Sequence, residues 1–451
     1  MCSASARLLL VLTASLAACR IESEEEKDSV PDAAMVYPER PCPGYTLFSA
    51  PSQNASEHQR TILLDMNGSV VHKWPIVGMP VTMLPGGDLL GSKRMRPGAE
   101  NVDAMELVQV DWDGNERWSF SNWDDDGTGT MMSRQHHDLQ REGNPVGYYA
   151  PRQDFAPRGN TLVLAHKTKT VPKISDRAII DDVIYEASWH GRVGFQWHAS
   201  DHFDEMGFDQ EAKQAIRKNP GYMNISKAGD WLHVNSAALL GRNHWYEEDG
   251  DQRFHPQNII FSSRAANFVA IVSRETGKIV WRVGPDFSPG HPEAQLGQFV
   301  GQHHAHMIPW GLPGAGNILV FDNGGVSGYG GSKGYPKYVR MHSRVLEFDP
   351  VSLQIVWEYG DRDHPNLFMS YFISSAQRLP NGNTLITDGA NGMLFEVTPS
   401  KLMVWKHIST SVNDLGNNYV YRAYRTPPEW LPAGFNPGDY ARWSTAHPPL
   451  D

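Results

Sequence analysis

With 451 residues, 40% hydrophobic and 20% charged, the chain is long enough for one large or two ordinary domains and is neither disordered nor fibrous in composition. Its 40 basic and 51 acidic residues leave a net charge of −11, which argues against a nucleic-acid surface as the main interaction and makes any anion site local. The 41 glycines, 31 prolines and 14 tryptophans, without any long segment of helical apolar periodicity, point to an all-β protein of short strands and turns.

Residues 1–19 have the form of a bacterial lipoprotein signal. Arg7 precedes the apolar stretch Leu8 to Leu16, and Leu16-Ala17-Ala18-Cys19 places small residues before a cysteine that becomes lipidated. The apolar run is too short to remain as a membrane span. Arg20, standing where an aspartate would favour inner-membrane retention, turns the expectation towards the outer membrane, with the protein facing the periplasm. Residues 20–32, with the acidic run Glu22 to Asp28, read as a solvated tether, and 33–451 as one catalytic domain. Once Cys2 is removed and Cys19 lipidated, Cys42 has no partner for an internal disulfide.

Beyond the tether one unit recurs. Six runs end in tryptophan: TILLDMNGSVVHKW at Trp74, ELVQVDWDGNERW at Trp118, VIYEASWHGRVGFQW at Trp197, FVAIVSRETGKIVW at Trp281, RVLEFDPVSLQIVW at Trp357 and MLFEVTPSKLMVW at Trp405. Ahead of each lies a second apolar run: GYTLFSA, GGDLLGS, GNTLVLA, NIIFSS, GNILVF and GNTLITD. Each unit is two successive hairpins. Six four-stranded antiparallel units at periods of about 45 to 85 residues predict a six-bladed β-propeller. The tryptophans read as core between blades. A short helix over Gln210 to Lys218 is expected within an insertion between blades 3 and 4, and Leu239 to Gln257 lengthens the hairpin loop of blade 4. Blade 1 lacks an innermost strand of its own; either Ala33 to Pro41 or the segment after Trp405 supplies it.

Three hairpins open with histidine. QHHDLQ carries His136 and His137, LHVNSA carries His233, and GQHHAHM carries His303, His304 and His306. Matching the strands puts His137, His233 and His303 in one register slot, with Ser374 and Met79 in the same slot of other blades. First strands line the channel of a propeller, so the three histidines are expected to meet near its axis. The return strands end on the same face and bring up His166, Arg264, and Asp322 with Asn323. Neighbours along a strand face opposite ways, so only some of His136, His304 and His306 can reach that pocket. Imidazoles beside a guanidinium suit a bulky oxyanion, and histidine can serve as nucleophile or as general acid and base near neutral pH. A zinc site on three histidines is the rival, disfavoured by Arg264 as a permanent cation with no assured carboxylate.

HHD followed by GNTLVLA, HVNS followed by IIFSSR, and FVGQHHAH followed by GNILVFDNGG resemble, in that order, the bacterial arylsulfate sulfotransferases, a six-bladed propeller family. The similarity spans about Gly44 to Trp405. The resemblance implies transfer of a sulfuryl group from an aryl sulfate to a phenol without a nucleotide sulfate donor; no cofactor is expected, and no metal is assigned to the site. It implies His303 as the nucleophile forming a sulfohistidine, with His137, His233 and Arg264 holding the sulfate oxygens and one of those histidines protonating the departing phenolate. His166, Asn323, His304 and His306 complete the expected substrate-binding set. The partners are then a small aryl sulfate and a phenol, with the membrane reached through the lipid anchor alone; a homodimer is compatible with the sequence.

The N-terminal β-sandwich of well-known members has no counterpart in the 25 or so residues between Cys19 and Gly44. Gly324 to Gly334 lacks the Gly-Lys-Ser/Thr of a phosphate loop and reads as a rim loop. Trp245, Tyr246, Tyr329 and Tyr371 are candidates for stacking on an aromatic ring or for loop packing. Two other functions fit the same composition: a propeller lyase or metal-dependent hydrolase acting on an anionic substrate, and a non-enzymatic envelope scaffold.

Overall fold

A computed structural model describes residues 40–50, 60–93, 106–144, 146–153, 155–221, 229–326, 328–329, 339–360, 368–413 and 415–435. The leader with Cys19, the tether and most of the glycine-rich rim loop lie outside these. Among the described residues no helix is long and apolar enough to cross a membrane.

Six four-stranded antiparallel sheets form the blades of a propeller. Blade 2 runs through Val77–Met83, Leu89–Ser92, Leu107–Val110 and Glu116–Phe120. Blade 3 takes Gln135–Arg141, Thr161–Thr170, Ala178–Ala187 and Val193–His198, and blade 4 takes Val234–Leu239, Ile259–Ser263, Phe268–Val272 and Ile279–Val283. Blade 5 is built from His303–Met307, Ile318–Asp322, Arg344–Phe348 and Ile355–Tyr359. Blade 6 spans Ser375–Arg378 to Met403–Ile408. The missing inner strand of blade 1 comes from the far end of the chain: Ala423–Thr426 pairs with Tyr45–Ala50, Phe48 opposite Ala423 and Tyr45 opposite Thr426. The segment after Trp405 therefore closes the ring, and blade 1 joins both halves of the sequence.

The repeated tryptophans do more than fill space. Each indole N–H donates to a backbone carbonyl in the outer turn of the next blade: Trp74 to Trp112 (2.8 Å), Trp118 to Trp189 (3.0 Å), Trp197 to Gly277 (2.9 Å), Trp281 to Pro350 (2.8 Å), Trp357 to Pro399 (3.0 Å), and Trp405 to Met66 (2.9 Å) of blade 1. Outer strands alternate faces, so a fixed position presents the ring to the neighbouring blade in every repeat. The indole thus buries apolar area and satisfies a turn carbonyl at once. Trp281→Phe keeps most of the packing and removes the donor. Its urea midpoint should fall by the equivalent of about 1 kcal/mol, and an unchanged midpoint would remove the latch from the energetics.

The helix expected between blades 3 and 4 occupies Gln210–Lys218, with the Asp209 carboxylate capping it by accepting from the Ala212 N–H (2.7 Å). The long loop of blade 4 holds a short helical turn, His244–Glu247. Cys42 is a free, buried thiol that burial pushes up to about 11.

Candidate active site

The inner strands of blades 3, 4 and 5 do not keep the single register slot expected for their histidines. Each carries a bulge at this point, between Gln135 and Leu139, Val234 and Ser236, and His303 and His306. An inserted residue shifts everything upstream of it. His233 consequently sits just before its strand, His137 inside its bulge, and His303 at the first paired position, opposite Phe321. His137, His233 and His304 adopt left-handed backbone, with φ near 50°, a conformation that non-glycine residues hold only where the surroundings impose it.

The bulged backbones nevertheless converge. The rings of His137 and His233 meet edge to face at 4.8 Å. Burial, and then the Arg264, His233 and His137 charges, hold the His303 imidazole well below its usual range. The His303 Nδ1–H is held by the Asn323 side-chain oxygen (2.7 Å) and the Gly301 carbonyl (3.0 Å). The Asn323 amide cannot turn round, because its NH₂ donates to the Ser370 (2.7 Å) and Ile373 (2.8 Å) carbonyls. With Nδ1 protonated, Nε2 carries the lone pair. Asn323, expected to bind substrate, instead orients His303. Asp230 plays the same part for His233, whose Nδ1–H it accepts at 2.6 Å while also accepting the His233 backbone N–H at 3.0 Å. Arg264 follows the return strand of blade 4, with its own N–H on the His233 carbonyl (3.2 Å), and the Asp230 charge acts on its guanidinium.

His166 stands in blade 3 against His136, their rings stacked at 3.6 Å, and its Nε2 lies 3.3 Å from the buried Asp182 carboxylate. The structure keeps His304 and His306 apart from this group. Their rings pack on each other at 4.4 Å along the deeper channel wall, His306 taking Tyr148 (2.9 Å) on one nitrogen and the His304 carbonyl (2.9 Å) on the other. The reason is the bulge: it turns the strand after His303, so these two face a cavity of about 10 Å³, room for about one water, lined by Asp138, Ser236, His304 and Arg422 among others.

That cavity is roofed by residues the sequence reading missed. Arg422, just before the ring-closing strand, makes two bonds to Asp138 of blade 3 (3.0 and 3.2 Å) and one to the Asn235 carbonyl of blade 4 (2.9 Å). The neighbouring Tyr421 hydroxyl donates to the His137 carbonyl (3.0 Å). Neither Arg422, in the run Val420-Tyr421-Arg422-Ala423-Tyr424-Arg425 that lacks a period-two alternation, nor Asp230, three residues before His233, carried a sequence signal that set it apart.

Three of the four aromatic candidates leave the rim. Trp245 and Tyr246 sit in the loop joining the first two strands of blade 4, at the end of the hairpin opposite His233, where the Trp245 N–H bonds the Gly316 carbonyl (2.9 Å). Tyr329 is wholly buried, its hydroxyl donating to the Pro220 (3.0 Å) and Trp231 carbonyls. Tyr371 alone is exposed at the site's mouth, next to Phe372 (ring centroids 4.8 Å) and close to the Ser370 and Ile373 carbonyls that hold Asn323.

Burial also depresses His304, and His306 to about 3. An unfolded chain binds protons on His303, His304 and His306 below about pH 6.5 that the folded protein refuses. The stability these groups confer is full above that pH and declines as pH falls towards their folded values, by about 1.4 kcal/mol per pH unit for each histidine. Asp182, pushed up to about 6 by burial, gains a proton in the folded state and offsets part of the loss below that pH. Urea midpoints should therefore drop steeply from pH 7 to pH 5, and a flat profile would show these rings to be solvated.

The family model of the arylsulfotransferases matches residues 151–423; His166, His233, Arg264, His303 and Asn323 fall inside it, and His136 and His137 before it. No curated protein matches significantly. Among solved structures, a protein of unknown function from Bacteroides caccae aligns at TM-score 0.43 and 12% identity, covering 85% of this chain and 99% of its own. A putative 6-phosphogluconolactonase from Bacteroides fragilis aligns at TM-score 0.35 and 10% identity over 84% and 97%. A catalytically inactive virginiamycin B lyase from Staphylococcus aureus, with quinupristin, aligns at TM-score 0.34 and 9% identity over 81% and 85%. On the match of its family model, the chain belongs to the arylsulfotransferase family and is an aryl-sulfate sulfotransferase.

Proposed function

We propose that the protein moves a sulfuryl group from an aryl sulfate to a phenol through a sulfohistidine on His303, with no nucleotide sulfate donor. The observation that carries this reading is the fixed tautomer of His303, protonated on Nδ1 by its bond to Asn323 and unprotonated on Nε2, in a cluster with His137, His233 and Arg264. The Nε2 lone pair attacks sulfur, an N–S bond forms, and the S–O bond to the aryl group breaks. The departing phenolate takes its proton from His137 or His233. In the second displacement the acceptor hydroxyl attacks sulfur, the N–S bond breaks, and the same histidine receives the acceptor's proton. The charge left on the His303 ring during the first step faces the Asn323 carbonyl oxygen, while Arg264 faces the sulfate oxygens. Tyr371 at the mouth offers a face for the aryl ring. The location is part of the proposal: a lipid on Cys19 tethers the enzyme to the envelope, facing the periplasm.

Mixing the enzyme with p-nitrophenyl sulfate and no acceptor should produce a burst of nitrophenolate and a protein heavier by the mass of SO₃, an adduct that disappears when phenol is added. Release without an adduct would indicate direct transfer between bound donor and acceptor, and no release would reopen the acidic-glycan lyase. Because burial and Arg264 keep His303 neutral, the burst rate with this donor should stay nearly level from pH 8 to pH 6. A rate that halves near pH 6.5 would mean an ordinary, solvated imidazole.

A further inference from the structure

One cluster is not used by this chemistry as described. Three adjacent strands of blade 3 each place one side chain at the mouth end: His136 from the first, His166 from the second and Asp182 from the third, the last two being cross-strand partners. Their ligand atoms lie within 4.8 Å of one another, and all three side chains are buried. Asp182 Oδ1 stands 3.3 Å from His166 Nε2 and 3.5 Å from His136 Nε2. Those spacings are long for hydrogen bonds, and among the described residues His136 Nε2 has no hydrogen-bond partner. These two carboxylate–imidazole spacings are close to the edge of about 3.4 Å that metal bonds of about 2.0 to 2.1 Å require in a tetrahedron, while the stacked rings, 3.6 Å apart, must splay for both nitrogens to face one ion.

We propose that His136, His166 and Asp182 bind a divalent ion of the zinc class through His136 Nε2, His166 Nε2 and Asp182 Oδ1. A buried imidazole nitrogen left without a partner is costly, and a cation shared with the buried Asp182 carboxylate satisfies it. The surroundings are arranged for it. Asp182 Oδ2 accepts the Val234 N–H (3.3 Å), which turns Oδ1 inward. Asp182 and nearby Asp230 supply the negative charge that lets a cation sit close to Arg264. Three protein ligands leave a fourth position for solvent, the pattern of zinc sites that take part in chemistry.

The ion also has a consequence for the neighbouring histidine, and this part rests on the sulfuryl-transfer reading. Metal on His136 Nε2 places the ring proton on Nδ1, and that atom lies 2.8 Å from His137 Nδ1. His136 then donates and His137 accepts, so the proton of His137 stands on Nε2. His137 is thereby set as the donor to the leaving oxygen: as its Nε2 proton passes to that oxygen, the His136 Nδ1 proton passes to His137 Nδ1 and keeps the ring neutral.

The full chain, stripped with a chelator and dialysed against Zn²⁺, should retain about one ion. Asp182→Ala and His166→Ala should weaken retention by about 100-fold or more, and Co²⁺ should give the intense visible bands of a four-coordinate site. Equal retention by wild type and by correctly folded variants overturns the site. So does a Co²⁺ spectrum no stronger than the hydrated ion's, a measurement that needs no variant. For the second part, metal-free enzyme should lose about tenfold more rate on phenyl sulfate, a poor leaving group, than on p-nitrophenyl sulfate, which needs little acid assistance. An equal loss on both donors overturns the proton-donating role and leaves the ion in place. Absence of the SO₃ adduct from both metal-loaded and metal-free enzyme would count against the sulfohistidine, and against this role with it, while the dialysis result stands by itself.

Discussion

His303→Ala is expected to lose at least about 10⁴-fold in sulfuryl transfer, with loss of the SO₃ adduct, because the Asn323 bond fixes the tautomer of His303 and leaves its Nε2 lone pair for the attack on sulfur. The size of the loss follows from what the nucleophile does: without it, sulfur must pass directly between two phenols that one pocket would have to hold together. Asn323→Ala provides the graded comparison. It leaves the ring and frees its tautomer, so about 10²- to 10³-fold should go from kcat, with donor KM changing little. Steady-state and single-turnover rates with p-nitrophenyl sulfate measure both. A His303→Ala enzyme that keeps its burst would put the covalent step on another residue, whereas an Asn323→Ala enzyme at full kcat would leave Nδ1 held by Gly301 alone.

The second large effect concerns stability. Arg422→Met should destabilise the protein by about 3 to 5 kcal/mol, since it leaves the Asp138 carboxylate buried and unpaired. Burial pushes the Asp138 carboxyl up and the guanidinium opposes it, so the isolated carboxylate would take a proton at a cost that rises with pH. The double variant Asp138→Asn with Arg422→Met should recover part of the loss, because no ion is then stranded. Urea unfolding of the single and double variants at pH 7.5 gives the coupling energy. Strict additivity would mean that the pair contributes nothing across the channel.

Much of the fold was legible because a propeller repeats its instructions. Alternation at period two, glycine turns and a terminal tryptophan recur in all six units, and the Asp209-capped insertion helix is local in origin. The site was legible in outline for a related reason, since inner strands converge whatever their exact register. What the sequence concealed depends on single backbone insertions. A bulge moved His304 and His306 to the deep wall, and loop direction sent Trp245 and Tyr246 to the opposite end. Asp182 and Arg422 read as ordinary strand residues, because their importance arises only from contacts across strands and blades. Tyr329 sits in a glycine-rich stretch that suggests exposure, yet the helical insertion covers it.

The closing strand has one further implication, for the order of synthesis. Until residues 420–426 emerge, blade 1 presents the edge of Tyr45–Ala50 without its neighbour, and the carbonyls of His137 and Asn235 lack the hydroxyl and guanidinium that hold them. The pocket thus lacks its last supports on any chain that stops before residue 420. A ribosome-bound or prematurely terminated product should be inert towards sulfate esters, and its exposed strand edge would be open to pairing with other chains.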